Sequence, residues 1–372
     1  MNFPQISSFV PNDIAHVLVI GQSNALGGGS TTALNFRQKF HNLMFASGVT
    51  NFPYSYTGVI PLLETLDSIA TGFTDFVSFK TGSSHAALIT NCASGATAYS
   101  GLAKGTAPYA VGIEHVRQVK QRFKNRARTR ALLSVHGEAD SASGTYQTDI
   151  RQWQSDYQSD INSKEGAPST RLIPIFHTQA GYPGWPNDGA NLAMLAEHVA
   201  NPTKSILVGP RYFLLHPDGV HLSSLSHQRL GEYYGKAYYY QVIRGQQWNP
   251  LRPSSVIRAG ATITITFTGN VGSLVFDTTN VSNPGNYGFE YVDDTTTAVI
   301  TNVALQSTNQ VVVTLNTTPT GANKKIRYGY NGNTEAGPFV GKRGNLRDSD
   351  PELSPNRNSL VNWCVYFNEA AT

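Results

Sequence analysis

The sequence predicts an α/β fold, a parallel sheet with helices on both faces, followed by a smaller β-sandwich. Three observations carry this reading. Short apolar, β-branched runs alternate with helical patterns through the first part of the chain, and strands joined by crossover-length helices form parallel sheets. After Trp248-Asn249-Pro250 the character changes to Thr-, Val-, Asn- and Gly-rich runs with period-two alternation. Turn residues interrupt those runs at short intervals, as in a sandwich. A chain of 372 residues has material for about two domains, read here as residues 1–248 and 249–372.

The first strand is His16-Val17-Leu18-Val19-Ile20, a buried-type run closed by Gly21. Ala86–Asn91 is the second. A helix follows with Ile113, Val116, Val119 and Phe123 on one face. Ala131–Val135 is a strand, and the clearest helix comes next, with Tyr146, Ile150, Trp153, Tyr157 and Ile161 spaced by three or four. Leu172–Phe176 reads as a strand, the stretch around Leu192, Leu195 and Val199 as a helix, and Ser205–Val208 as a strand. A last helix runs from Ser223 or Ser224 to about Val242, with Leu225, Leu230, Tyr234 and Ala237 as core contacts. In the second part, Thr262–Phe267, Leu274–Phe276, Val299–Leu305, Val311–Leu315, Ile326–Tyr330 and Val361–Phe367 are strand candidates. Gly332–Asn358 is polar and Gly/Pro-rich, a long loop free to pack back on the first part.

Composition excludes several function classes. Charged residues are 14% and the net charge is +4, too small to argue for nucleic acid. The densest basic stretch, Lys120 to Arg130, falls at a helix end, where cations complement the macrodipole. No segment reaches the length of a membrane span. Met1 to Val10 lacks a basic region and a long apolar run, so no signal peptide is expected there. Cys92 and Cys364 make no disulfide framework and no metal-ligand spacing. No metal or other cofactor is expected.

The chemistry is read from groups that follow strands. In parallel sheets ligands bind beyond the carboxyl ends of the strands. Ser23, in Gly21-Gln22-Ser23-Asn24, follows the first strand on a sharp turn that can present a nucleophilic hydroxyl. Gly95 follows the second strand, His136-Gly137-Glu138 the next, and His177 and Gln179 the one after. Asp218-Gly219-Val220-His221 follows the last. A serine early and an Asp/His pair late supply a hydrolytic triad, with Ser23 as nucleophile, His221 as base and Asp218 as its partner. Oxyanion donors are expected from the backbone N–H groups of Ser23 and Gly95 and from a side chain, His136 before Asn24. Glu138 is read first as holding the Ser23 loop. Gln22, Asn24, Glu138, Gln179, Tyr182 and Trp185 are the candidates for contact with substrate; Tyr99 and Tyr109 are further loop aromatics.

These blocks, in this order, resemble the SGNH hydrolase superfamily, and in particular its sialate O-acetylesterase-like carbohydrate esterases. The resemblance covers roughly the first 245 residues. It implies a flavodoxin-like three-layer α/β/α domain, metal-independent removal of O-acetyl groups from sugars, and the roles given above for Ser23, Asp218, His221 and Gly95. One block departs from the branch: His136 stands where it usually has glutamine in Trp-x-Gln-Gly-Glu-x-Asp, and an imidazole N–H donates there only in the right tautomer. Gly344-Asn345-Leu346-Arg347-Asp348-Ser349-Asp350 resembles phage tail-spike esterases. That implies an extracellular or virion-associated setting, with an acetylated polysaccharide as substrate and further copies of the chain or a virion as assembly partners. Two other readings stay open: a general esterase or lipase of the superfamily, and a non-catalytic glycan-binding protein on an esterase scaffold.

Overall fold

The computed structural model describes residues 14–372 apart from 32, 35–38, 51–54 and 182–187. Its centre is β1 (Ile14–Gly21), buried along its whole length as an apolar run between two helical layers should be. The other strands of this sheet are β2 (Leu43–Phe45), β3 (Val59–Pro61), β4 (Ala86–Asn91), β5 (Ala127–Val135), β6 (Ile175–Gln179) and β7 (Ser205–Pro210). The order is β3-β2-β4-β1-β5-β6-β7, parallel except for the edge strand β3. The chain passes from β1 to one side at β4, then crosses to β5 on the other. The strand order therefore reverses beside β1, which is where such sheets place their ligands.

The helices are α1 (Ile69–Lys80), α2 (Ala107–Phe123), α3 (Tyr146–Glu165), α4 (Gly189–Ala200) and α5 (Ser224–Tyr238). α1 packs on α5, and α3 packs on both α2 and α4, giving the two outer layers. The expected stripe Tyr146, Ile150, Trp153, Tyr157 and Ile161 is wholly buried. α1 is absent from the sequence reading. Its Gly72 looks like a breaker, yet a Cβ there would lie 2.0 Å from the Gln228 carbonyl oxygen, so glycine is what lets α1 and α5 touch backbone to backbone. Two expectations shift. The strand predicted at Leu172–Phe176 starts only at Ile175, after Pro174, whose missing N–H cannot join a ladder. Leu225, expected in the core, is 51% exposed on the first turn of α5.

Between α1 and α5 lies a buried carboxylate. Burial pushes the Asp75 carboxyl up to about 7; Lys39 opposes this, while Glu232 and Glu64 add to it. An unfolded aspartate releases its proton near 3.8. Across the window from 3.8 to about 7 the folded chain holds a proton that the unfolded chain has lost, so stability from this group is present at acid pH and declines as pH rises. Asp75→Asn should therefore stabilise the protein at pH 8 by ~2–4 kcal/mol and change little at pH 4. Denaturant midpoints at the two pH values measure this; equal shifts at both would count against it.

The C-terminal part is antiparallel. β8 (Arg252–Ala259), β9 (Thr262–Thr268), β12 (Ile300–Ser307) and β13 (Gln310–Leu315) form a sheet in the order β12-β13-β9-β8. β11 (Phe289–Val292), β14 (Lys325–Tyr328) and β16 (Phe367–Ala370) form a second, and β10 (Val275–Phe276) with β15 (Leu346–Arg347) a two-stranded third. Phe267 of β9 meets Phe367 of β16 at 6.3 Å between ring centroids, joining the two larger sheets. Of the strand expected at Val361–Phe367, only Phe367 lies in β16. The stretch before it turns to the α/β part, where the backbone N–H of Tyr366 donates to Gln179 Oε1 at 2.8 Å. The segment Gly332–Asn358 is largely irregular and also packs there. Lys236 of α5 donates to Asp350 at 2.8 Å, and Asn356 and Asn358 donate to Glu232. Cys92 and Cys364 are both buried free thiols. Among the described residues no helix is long and apolar enough to cross a membrane, and no group of three or more His, Cys, Asp or Glu could hold a metal ion.

Candidate active site

β1 ends at Gly21, whose φ of +125° only glycine adopts readily; a Cβ there would lie 2.2 Å from the Val135 carbonyl oxygen. The chain then folds into a single 3-10 turn, Ser23–Leu26, stopped by Gly27 in the left-handed region. Ser23 Oγ lies 3.0 Å from His221 Nε2, and His221 Nδ1 lies 2.8 Å from Asp218 Oδ2. A carboxylate oxygen only accepts, so Nδ1 carries the proton and Nε2 is left to accept from the serine hydroxyl. The other Asp218 oxygen accepts the backbone N–H groups of Val220 (3.0 Å) and His221 (2.6 Å), a side-chain-closed turn that sets the three-residue spacing. Partial burial pushes the Asp218 carboxyl up, but the bonds from His221 and Val220 outweigh it and bring it down to about 2. Asp218 is thus a carboxylate at any ordinary pH. The structure brings together residues 198 positions apart in the chain, with hydroxyl, imidazole and carboxylate in hydrogen-bond sequence, the order that a nucleophile, a base and an orienting acid require.

Asn24 was expected to meet substrate and instead is fully buried. Its amide donates to Glu138 Oε1 (3.1 Å) and to the Val220 carbonyl (3.3 Å), while its oxygen accepts the Leu222 N–H (3.0 Å). One side chain next to Ser23 therefore grips the backbone on both sides of His221. Glu138, also expected to contact substrate, is the anchor of that grip. Its Oε1 accepts Nη1 of the fully buried Arg211 at 2.7 Å. Burial pushes the Glu138 carboxyl up, and Arg211 more than reverses this, holding it below the usual range. Arg211 also donates to the carbonyls of His136 and Gln179.

The expectation that His136 donates to an oxyanion is corrected. The ring is fully buried, with Nε2 2.9 Å from the Thr97 carbonyl and Nδ1 2.6 Å from the Tyr146 hydroxyl. A carbonyl only accepts, so Nε2 bears the proton; burial lowers the pKa of the ring, which is neutral, and Nδ1 takes the tyrosine proton. Both nitrogens are committed, and their effect is to prop the loop that carries Gly95. Ser94 N–H donates to the Gly21 carbonyl at 3.0 Å, which seats Gly95 beside the serine turn. Among the described residues, its chain neighbours apart, no atom lies within 4 Å of where a Gly95 Cβ would stand. Gln22 is buried and accepts the Ala139 N–H at 3.3 Å. Gln179 is fully buried too, and its amide donates to the carbonyls of Asn191 and Tyr366, which commits it to the fold. Tyr182 and Trp185 lie outside the described residues. Tyr109 is buried and bonded to Asp160, and Tyr99 packs edge-on against Trp153.

Sequence reasoning missed Arg211, since nothing near it in the chain marks it, and it missed the glycine run after the serine turn. A Cβ on Gly29 (φ +82°) would fall 2.6 Å from His221 Cβ and 2.8 Å from the Leu222 carbonyl oxygen. His227 Nε2 donates to the neighbouring Gly28 carbonyl at 2.9 Å and holds the run in place. Three successive glycines, Gly27 to Gly29, were the available signal. Gly29→Ala should displace the imidazole and lower kcat/KM on a simple acetate ester about a hundredfold. Steady-state kinetics on the folded variant checks this, and unchanged kcat/KM would refute the role given to the run.

A three-layer α/β/α sheet with serine, histidine and aspartate aligned at its strand ends is the architecture of SGNH-type esterases. The comparisons narrow this class. Residues 64–240 match the family described as "Carbohydrate esterase, sialic acid-specific acetylesterase". The matched stretch includes Asp218 and His221 and begins after Ser23. A carbohydrate acetylesterase from Xanthomonas citri, XAC1771, is similar in fold at 13% identity and a TM-score of 0.60. That likeness covers 96% of this chain and 81% of the other, so it includes the C-terminal sheets. NanS (13% identity, TM-score 0.48) and a protein from Arabidopsis thaliana (20%, 0.47) align with 64% and 63% of this chain and with the whole of theirs. No curated protein matches the sequence.

Proposed function

We propose that the protein is a carbohydrate O-acetylesterase that works through an acyl-enzyme on Ser23. The observation that carries this reading is the unbroken series Ser23 Oγ, His221 Nε2, His221 Nδ1 and Asp218 Oδ2, at 3.0 and 2.8 Å. His221 takes the Ser23 proton as the hydroxyl oxygen bonds to the acetyl carbonyl carbon. The carbonyl oxygen becomes the oxyanion, and it meets the N–H groups of Ser23 and Gly95. The first N–H of a helical turn has no partner within the turn, which suits Ser23 for this. Collapse of the intermediate expels the sugar oxygen, which takes the proton from His221. Water then adds to the acetyl-serine with His221 again as base, and acetate leaves. Asp218 fixes the imidazole tautomer and faces its positive charge. The α/β part, residues 1–248, carries all of these groups.

The substrate class is an O-acetylated polysaccharide or glycan, met outside the cell or on a virion. The test is acetate release from a panel of O-acetylated polysaccharides by wild type and by Ser23→Ala. Release that depends on Ser23 supports the reading. Glycan binding with no acetate released from any substrate favours a non-catalytic binding protein and overturns it.

A further inference from the structure

We propose that Glu335, supplied by the C-terminal part, is a specificity-determining residue of the esterase site, selecting neutral O-acetylated sugars over sugars that carry a carboxylate. This rests on the reading of the site as an esterase. Glu335 lies directly over the turn that holds the base. A Cβ on Gly219, between Asp218 and His221, would fall 2.9 Å from Glu335 Cγ and 3.3 Å from its carboxyl carbon. The next residue clamps the same turn, Ala336 N–H donating to the Gly219 carbonyl at 2.6 Å. The loop is built rather than loose. Asn333 N–H bonds the Val340 carbonyl at 2.8 Å, Arg343 N–H the Asn331 carbonyl at 3.1 Å, and Arg343 Nε the Ser282 carbonyl at 2.7 Å. Backbone held this firmly keeps the Glu335 main chain in place, which lowers the ordering cost at binding.

The side chains presented by this loop are those that read sugars. Glu335 is exposed, and its carboxylate has no hydrogen-bond partner among the described residues. A carboxylate accepts from sugar hydroxyls. Four positions on, Phe339 is 58% exposed, a bare ring of the kind that stacks on the C–H face of a pyranose. The charge around the base is negative, from Glu335 above Gly219 and from Asp218, half exposed itself. The guanidinium within this network, Arg211, is fully buried and paired to Glu138, so it offers nothing to a substrate carboxylate. A sialic acid would bring its anion up to two carboxylates. A neutral sugar would bring hydroxyl donors. The site edge is therefore set against the substrate in the name of the family whose profile the chain matches.

The experiment measures selectivity in two ways. Calorimetric binding to Ser23→Ala and to Ser23→Ala/Glu335→Gln is compared for an O-acetylated xylo-oligosaccharide and for O-acetylated N-acetylneuraminic acid. In parallel, kcat/KM is measured on both sugars with Ser23 intact, for wild type, Glu335→Gln and Glu335→Lys. The expected result is a preference for the neutral sugar that falls about tenfold in Glu335→Gln and further in Glu335→Lys. A loss of equal factor on both sugars would mean that Glu335 only steadies the Gly219 turn, and overturns the proposal. So does an unchanged ratio, or an absence of binding to either sugar. Binding that shifts as expected while wild type releases no acetate leaves this inference standing and removes the hydrolytic one.

Discussion

Ser23→Ala should lower acetate release by at least about three orders of magnitude while leaving the fold intact. The size of the loss follows from the proposed mechanism, in which without the hydroxyl there is no acyl-enzyme, and His221 has no proton to take from a positioned nucleophile. Triad members act as a unit, so removing the serine forfeits what the base and acid contribute as well. Residual turnover would come from oxyanion stabilisation and binding alone. The stability change should be within ~1.5 kcal/mol, since Ser23 Oγ makes one side-chain hydrogen bond, to His221. Acetate quantified by a coupled assay, with unfolding followed in parallel, decides the matter. Hydrolysis at the wild-type rate by the folded variant would remove Ser23 from the chemistry.

Arg211→Leu has the largest expected effect on stability, a loss of ~3–5 kcal/mol, because it strands a buried carboxylate. Arg211 is fully buried, and its three nitrogens bond Glu138 and the carbonyls of His136 and Gln179. The pH dependence identifies the cause. In the wild type Glu138 is held below its ordinary value, so its contribution is present above the unfolded value of about 4.3 and is lost as pH falls through the lower folded value. Without Arg211 burial prevails and the sign reverses, the carboxyl being raised and the penalty growing as pH rises. The variant should therefore be much weaker than wild type at pH 8 and closer to it at pH 4. Glu138→Gln added to Arg211→Leu should recover part of the loss at pH 8. Equal destabilisation at both pH values would instead point to lost packing.

The strand–helix alternation and the sheet-edge rule were enough to bring Ser23, Asp218 and His221 to one edge of the sheet, where they hydrogen-bond in series, because their positions are fixed by local turn chemistry: a glycine at positive φ before the serine and an aspartate closing its own turn. What they could not reach was the direction in which buried polar side chains point. Asn24, Glu138, Gln22, Gln179 and His136 all sit at strand ends and all turn inward, since a residue at the edge of a sheet can face solvent or the layer beneath with the same local sequence. Arg211 lay beyond reach for the same reason, as its partners come from the ends of two other strands, His136 and Glu138 after β5 and Gln179 closing β6. The helix Ile69–Lys80 was hidden because Gly72, a poor helix former in isolation, is required by the neighbouring helix. Glu335 stands over a hundred residues from His221, on a loop whose place depends on the packing of two sheets.

The clasp between Gln179 and Tyr366 bears on how such a chain is inherited. Gln179 pairs both ends of its amide with the backbone of a residue 187 positions away, and the Lys236 ammonium donates to the Asp350 carboxylate and the Leu360 carbonyl. Exchange of the C-terminal part for an unrelated one by recombination would leave these buried donors and acceptors facing apolar or mismatched surfaces. Single substitutions in the exposed loop around Glu335 leave these buried pairs untouched. The whole module cannot readily be traded.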